Sequence, residues 1–149
     1  MEILNTLQLH NILANNTGTK SKFIGVYAKD EFEKLVITKF PSCIILNTDV
    51  SSKSGEHWLA LYFVNQNTVE FFDSYGNKPS YFKLNLNFKH IKYNTKQIQG
   101  YNSAICGYYA CLFLLFRCNR YSFDQYVNFY SFNTLKNDQL ILHLIKHFK

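Results

Sequence analysis

The chain has 149 residues, 47% of them hydrophobic and 17% charged, which excludes a disordered or low-complexity polymer. That length suits one domain over residues 1–149, because two halves would each lack a comfortable core. The formal net charge of +6 rests on lysine, with Arg117 and Arg120 the only arginines; it reads first as a solvated surface and still permits weak attraction to nucleic acid.

In chain order, Ile3, Leu4, Leu7, Ile12 and Leu13 form one stripe and predict a helix over 2–15, not a signal peptide. Asn15-Asn16-Thr17-Gly18-Thr19 ends it. Phe23–Tyr27 is a short extended piece within an ambiguous stretch to Lys39, and Pro41 punctuates. Cys43–Leu46 reads as a buried strand and Ser51–Glu56 as a polar loop. Trp58–Val64 and Val69–Phe72 are strands joined by a hairpin turn at Asn65–Asn67. Ser74–Pro79 is a loop, and residues 88–99 supply an outer strand. Ala104–Arg117 is apolar nearly all round and predicts a helix in the centre of the fold. Tyr121–Lys149 carries one or two amphipathic helices.

These elements make an α+β domain: an antiparallel or mixed sheet packed on a central buried helix, with flanking helices. The longest apolar run, Ile105–Phe116, is too short to cross a bilayer. Cys43, Cys106, Cys111 and Cys118 form no C-x-x-C pair and no Cys/His cluster, so no metal is expected. Together these features describe a soluble intracellular monomer with reduced thiols and no membrane partner.

Two stretches carry chemistry. His57 stands at the start of the first hairpin strand and Asp73 at the end of the second. A hairpin brings both to the same open end of the sheet, where the carboxylate can orient the imidazole and stabilise its charged form. Alone, such a pair is more often an edge histidine and an unrelated turn aspartate. The second stretch is Gln99-Gly100-Tyr101-Asn102-Ser103-Ala104-Ile105-Cys106-Gly107. Ser103 suits the N-cap of the central helix, which puts Cys106 in the first turn, where the helix dipole favours a thiolate. Gly107 allows close approach beside it. A nearby imidazolium activates such a thiol as a nucleophile, and Gln99 can face an oxyanion with the Cys106 backbone N–H. Taken singly, Cys106 reads as a core cysteine like Cys111 and Cys118; the combination with His57, Asp73 and Gln99 distinguishes it.

With these residues in order, the chain resembles the adenain family, the adenovirus-type cysteine endopeptidases, and through it the wider class of ubiquitin-like-protein proteases. The matching pieces are Phe23–Tyr27, Ile45–Thr48, Gly55–Ala60, Phe71–Gly76 and above all Gln97–Gly107. The resemblance implies Cys106 as nucleophile, His57 as general base and then acid, Asp73 as its orienting group, and Gln99 with Cys106 as the oxyanion hole. It implies hydrolysis after glycine, through a thioester, in precursor proteins of a virus or virus-like element, in infected cells (nucleus or cytoplasm) and virions. No cofactor is needed for the chemistry. DNA, held by lysine–phosphate contacts, or a peptide remains open as an activator. The family's peptide activator is tethered through a cysteine between acid and Gln; residues 74–98 have none, which leaves only non-covalent binding.

Three rivals compete: a ubiquitin- or SUMO-like deconjugase, which Phe72-Asp73-Ser74 also fits; an acyltransferase; and a non-catalytic virion or DNA-binding protein on the same scaffold. Other features read blandly. Tyr108 and Tyr109 are packing residues, His143 and His147 a surface pair, and Lys89, Lys92 and Lys96 a solvated strand.

Overall fold

Five strands lie side by side in chain order: β1 (Phe23–Tyr27), β2 (Ser42–Asn47), β3 (Trp58–Asn65), β4 (Thr68–Phe72) and β5 (His90–Tyr93). The structure is a computed structural model and describes residues 4–49, 57–101 and 104–148. The predicted loop Ser51–Glu56 and the predicted cap Ser103 lie outside the described residues.

The three central strands are antiparallel, whereas β1 runs parallel to β2 and β5 parallel to β4. The sheet is therefore mixed. Its parallel edges follow from connections long enough to carry the chain back before it pairs again. The first crossover holds an unanticipated single-turn helix, α2 (Lys29–Phe32), where Glu31 Oε1 accepts the Ala28 N–H at 2.8 Å. The second holds a 3-10 turn, Pro79–Phe82, opened by the fixed φ of Pro79.

Both faces of β3 are covered, so its sequence is apolar from Trp58 to Val64. Ala60 and Tyr62 turn toward helix α3 (Cys106–Cys118), while Leu59, Leu61 and Phe63 turn to the other face. That second face is closed by Phe32, Leu35, Phe40, Phe82, Leu86 and Phe88, all from the two crossover connections, including the last residues of α2 and of the 3-10 turn. On the first face α3 is sandwiched by α1 (Thr6–Asn15), α4 (Phe123–Phe129) and α5 (Thr134–Leu144). Phe113 stacks on Phe72 with centroids 5.0 Å apart. Arg117 grips Glu70 with Nε–H to Oε1 at 2.7 Å and Nη2–H to Oε2 at 3.2 Å, and lies 4.4 Å over the Tyr62 ring. This fork holds the far end of α3 against β3 and β4.

Helix starts follow local chemistry. Asn5 and Gln8 make a reciprocal capping box for α1, and Ser122 and Gln125 do the same for α4. The central helix differs from expectation: Ile105 occupies its N-cap and supplies no side-chain bond. Cys106 is thus the first helical residue.

Candidate active site

The β3–β4 hairpin sets the geometry. Ala60 pairs with Phe72, so Asp73 continues β4 just where His57 precedes β3. Asp73 is fully buried, a costly place for a carboxylate without donors. Donors are present. Tyr75 N–H reaches Oδ1 at 3.1 Å and Asn77 N–H reaches Oδ2 at 3.0 Å. The chain curls back through Gly76, whose φ of +78° and close approach to the Thr95 carbonyl exclude a Cβ. Asn94 clamps the Asp73 backbone, accepting its N–H at 3.2 Å and donating Nδ2–H to its carbonyl at 2.6 Å.

His57 donates from Nε2 to Asp73 Oδ1 at 2.6 Å. Its ring stacks on Tyr75, centroids 4.9 Å apart, and on Phe82 at 5.9 Å. Burial works to lower the imidazole pKa, but the hydrogen bonds and charges of Asp73 and Cys106 outweigh it and lift it from 6.5 to about 9. The ring is then cationic at neutral pH, with Nδ1 the nitrogen left for the Cys106 sulfur.

Cys106 is 8% exposed at the start of α3. The Trp58 backbone N–H points at its sulfur from 3.4 Å, a donor worth more to a thiolate than to a thiol. The Trp58 ring can lie here because residue 107 is glycine: a Cβ there would stand 3.1 Å from Trp58 Cδ1. Thus one residue after the histidine serves the sulfur, and one residue after the cysteine makes room for it.

Gln99 is fully buried beside this pair. Ser74 Oγ–H donates to its Oε1 at 2.6 Å, with the NH2 at the other end of the amide. The Ser74 carbonyl accepts the N–H groups of both Ile98 and Gln99, at 2.9 and 3.0 Å. Hence the loop after Asp73 and the loop before Cys106 are laced together through Ser74. The structure brings His57, Asp73 and Cys106 into one hydrogen-bonded group and lays Gln99 on the loop joined to it.

Sequence reasoning missed two contributors. Ser74 follows Asp73 directly and was visible as a neighbour; Asn94 lies 21 residues downstream and carries no local signal. Elsewhere, Tyr108 and Tyr109 are buried, and Tyr109 also donates its hydroxyl to Asp138 at 2.6 Å. Lys92 stays on the exposed strand β5, in a solvent-exposed pair with Asp124 at 2.9 Å, whereas Lys96 departs from the solvated-strand reading: it lies past β5, bonds the Tyr130 carbonyl and covers the Phe132 ring at 4.7 Å. Lys96 thereby ties the loop after β5 to the end of α4 and the segment following it. Among the described residues no three His, Cys, Asp or Glu side chains converge as a metal site, and no helix is long and apolar enough to cross a membrane.

Known proteins give this arrangement its context. The sequence description of the adenovirus endoprotease family matches residues 23–144. The protease of bovine adenovirus 2 is 29% identical over 119 residues, covering 68% of this chain and 58% of its own length. The frog adenovirus 1 protease is 30% identical over 124 residues, covering 71% and 60%. The chain thus spans under two thirds of these relatives. A crystal structure of an ASFV protease superposes with a TM-score of 0.53 at 17% identity, covering 91% of this chain and 66% of that one, a likeness of fold.

Proposed function

Because the chain belongs to the adenovirus endoprotease family, we propose that it is a cysteine endopeptidase whose nucleophile is Cys106, with His57 and Asp73 completing the triad. The observation that carries this reading is the 2.6 Å bond from His57 to a buried, donor-saturated Asp73, with the same ring held against Cys106.

In this mechanism the Cys106 thiolate attacks the peptide carbonyl carbon and a C–S bond forms. The developing oxyanion is met by the Gln99 side-chain N–H and the Cys106 backbone N–H. The His57 imidazolium gives its proton to the leaving amine as the C–N bond breaks, which leaves a thioester and neutral imidazole. Water then attacks the thioester while His57 takes its proton. Collapse releases the acid and restores the thiolate–imidazolium pair. Asp73 keeps the imidazole oriented and stabilises its charge throughout.

The substrates on this reading are precursor proteins of a virus or virus-like element, cleaved after glycine in the infected cell and the virion. The relatives' names support a viral protease. The activator, if one acts, is DNA or a peptide bound without a disulfide, since residues 74–98 offer no cysteine.

The test is a peptide library with Gly-Gly and Gly-x sites, incubated under reducing conditions with and without duplex DNA and read by mass spectrometry. Cleavage C-terminal to glycine is expected, lost in Cys106→Ala. Stimulation by DNA through lysine–phosphate contacts should fade steeply from low to near-physiological salt. Cleavage that persists undiminished in Cys106→Ala, or that shows no preference for glycine sites, refutes this reading, as does a wild type that cleaves nothing with DNA and with peptides of the viral precursors added as activators.

A further inference from the structure

The loop that carries Gln99 is held from a third side, by two adjacent residues of α5. Asn137, buried, donates Nδ2–H to the Ile98 carbonyl at 3.1 Å and to the Ser131 carbonyl at 2.7 Å, while its Oδ1 accepts the Ser131 N–H at 3.0 Å. Asp138 Oδ2 accepts the Gly100 N–H at 3.2 Å. The residues on both sides of Gln99 are therefore anchored to one helix, and Gln99's own N–H is anchored to Ser74.

Asp138 does more than hold the loop. Its second oxygen, Oδ1, accepts the Tyr109 hydroxyl at 2.6 Å. Tyr109 is fully buried and sits three residues after Cys106, one turn along the same helix. One carboxylate thus spans the Gln99 loop and the first turn of the helix that begins with Cys106. Resting on the roles proposed above for Cys106 and Gln99, we propose that Asp138 is a positioning residue that sets the distance between the oxyanion donor and the nucleophile.

A span of this kind matters because oxyanion donors act only at hydrogen-bond range of a charge that forms in the transition state. A displacement of about 1 Å costs on the order of 10²-fold in rate. The span works by geometry and not by its charge. An asparagine here can still accept the Gly100 N–H with its Oδ1, and its Nδ2–H can donate to the Tyr109 oxygen, which is an acceptor as well as a donor. An alanine keeps neither contact.

The experiment compares wild type, Asp138→Ala, Asp138→Asn, Tyr109→Phe, Gln99→Ala and the double variant Gln99→Ala/Asp138→Ala. Asp138→Ala should lower kcat by roughly 10–100-fold with KM changed about twofold or less, and Asp138→Asn should restore most of the loss. Tyr109→Phe, which removes only the helix-side bond, should lose less. The double variant should be no slower than Gln99→Ala alone, because Asp138 acts through Gln99. The rate of Cys106 alkylation by iodoacetamide should not change in Asp138→Ala, since that reaction forms no oxyanion.

Additive losses in the double variant, alkylation that falls with cleavage, or full activity in Asp138→Ala would each overturn the proposal. Failure of the endopeptidase reading is seen separately, as a wild type without activity. Amide exchange at 98–101 then still tests the anchor: it should quicken in Asp138→Ala and return in Asp138→Asn, and exchange unchanged by the alanine overturns it.

Discussion

The two ends of α3 each carry a buried cysteine, and they are built for opposite outcomes. At the N-terminal end, Cys106 meets a backbone donor from Trp58 and a cationic His57 whose charge is matched by buried Asp73. At the C-terminal end, Cys118 lies 3.9 Å from the Cys43 sulfur. A hydrogen bond from Cys43 lowers the Cys118 thiol pKa against the effect of burial, with Lys22 and Arg117 assisting. Cys43 is pushed up correspondingly, by that bond and by its burial. The neighbours of Cys118 lower its thiol pKa, whereas the His57 ring beside Cys106 is an imidazole held by Asp73 and suited to hand a proton to a leaving amine. A low thiol pKa alone does not make a nucleophilic catalyst.

The largest effect that could break this contrast is loss of the first sulfur. Cys106→Ala should reduce peptide cleavage to background, while Cys118→Ser should keep at least about a tenth of wild-type kcat/KM, as expected for substitution away from the reacting group. Equal losses in the two variants, measured on one peptide, would erase the distinction. Next comes the acid. Asp73→Asn can still accept from His57 but cannot stabilise its charge, so kcat should fall by roughly 10²–10⁴-fold with the fold kept, and the thermal midpoint should drop as well because the amide Nδ2 would face the Asn77 N–H that Oδ2 now accepts. A rate near wild type would remove Asp73 from the triad.

The third prediction concerns pH. The folded pKa of His57, about 9, stands above its ordinary 6.5. Protonation therefore favours the fold: this contribution is complete below about pH 6.5 and lost as pH rises through about 9. Thermal midpoints between pH 6 and 10 should decline across that window in wild type and flatten in His57→Ala. An identical decline in His57→Ala would assign the pH dependence to other groups. The smallest effect is the order of alkylation. Iodoacetamide at neutral pH should label Cys106 first, Cys118 more slowly, and Cys111 last, since burial pushes the Cys111 thiol far up. Peptide mapping that finds Cys118 ahead of Cys106 would reverse the ranking of the two ends.

Much of this was legible along the chain because it is local. The apolar run Trp58–Val64 and the turn before Val69 predict the hairpin, and the hairpin alone places His57 and Asp73 at one end of the sheet. An all-round apolar 104–117 predicts a buried helix, and Cys106 falls at its start whichever residue caps it; the cap itself is Ile105, not an oxygen-bearing side chain. Local chemistry did not predict α2, a single turn too short for any periodicity to mark, nor which neighbour each sheet edge pairs with, since parallel pairing depends on where a crossover returns.

What the amino-acid sequence determined by itself is therefore the choice of candidate groups, Cys106, His57, Asp73 and Gln99, and the elements that bear them, because hydrophobic period, turn residues and the Gln97–Gly107 pattern are properties of neighbours in the chain. What only the tertiary structure decided is how those groups are held. Asn94 clamps Asp73 from 21 residues away, Ser74 holds Gln99 from 25, and Asp138 bonds Gly100 from 38. Contacts at such separations leave no mark on local composition. They exist because a buried carboxylate and buried backbone amides in the packed domain require partners, and those partners come from whichever segment the fold brings within 3 Å or so.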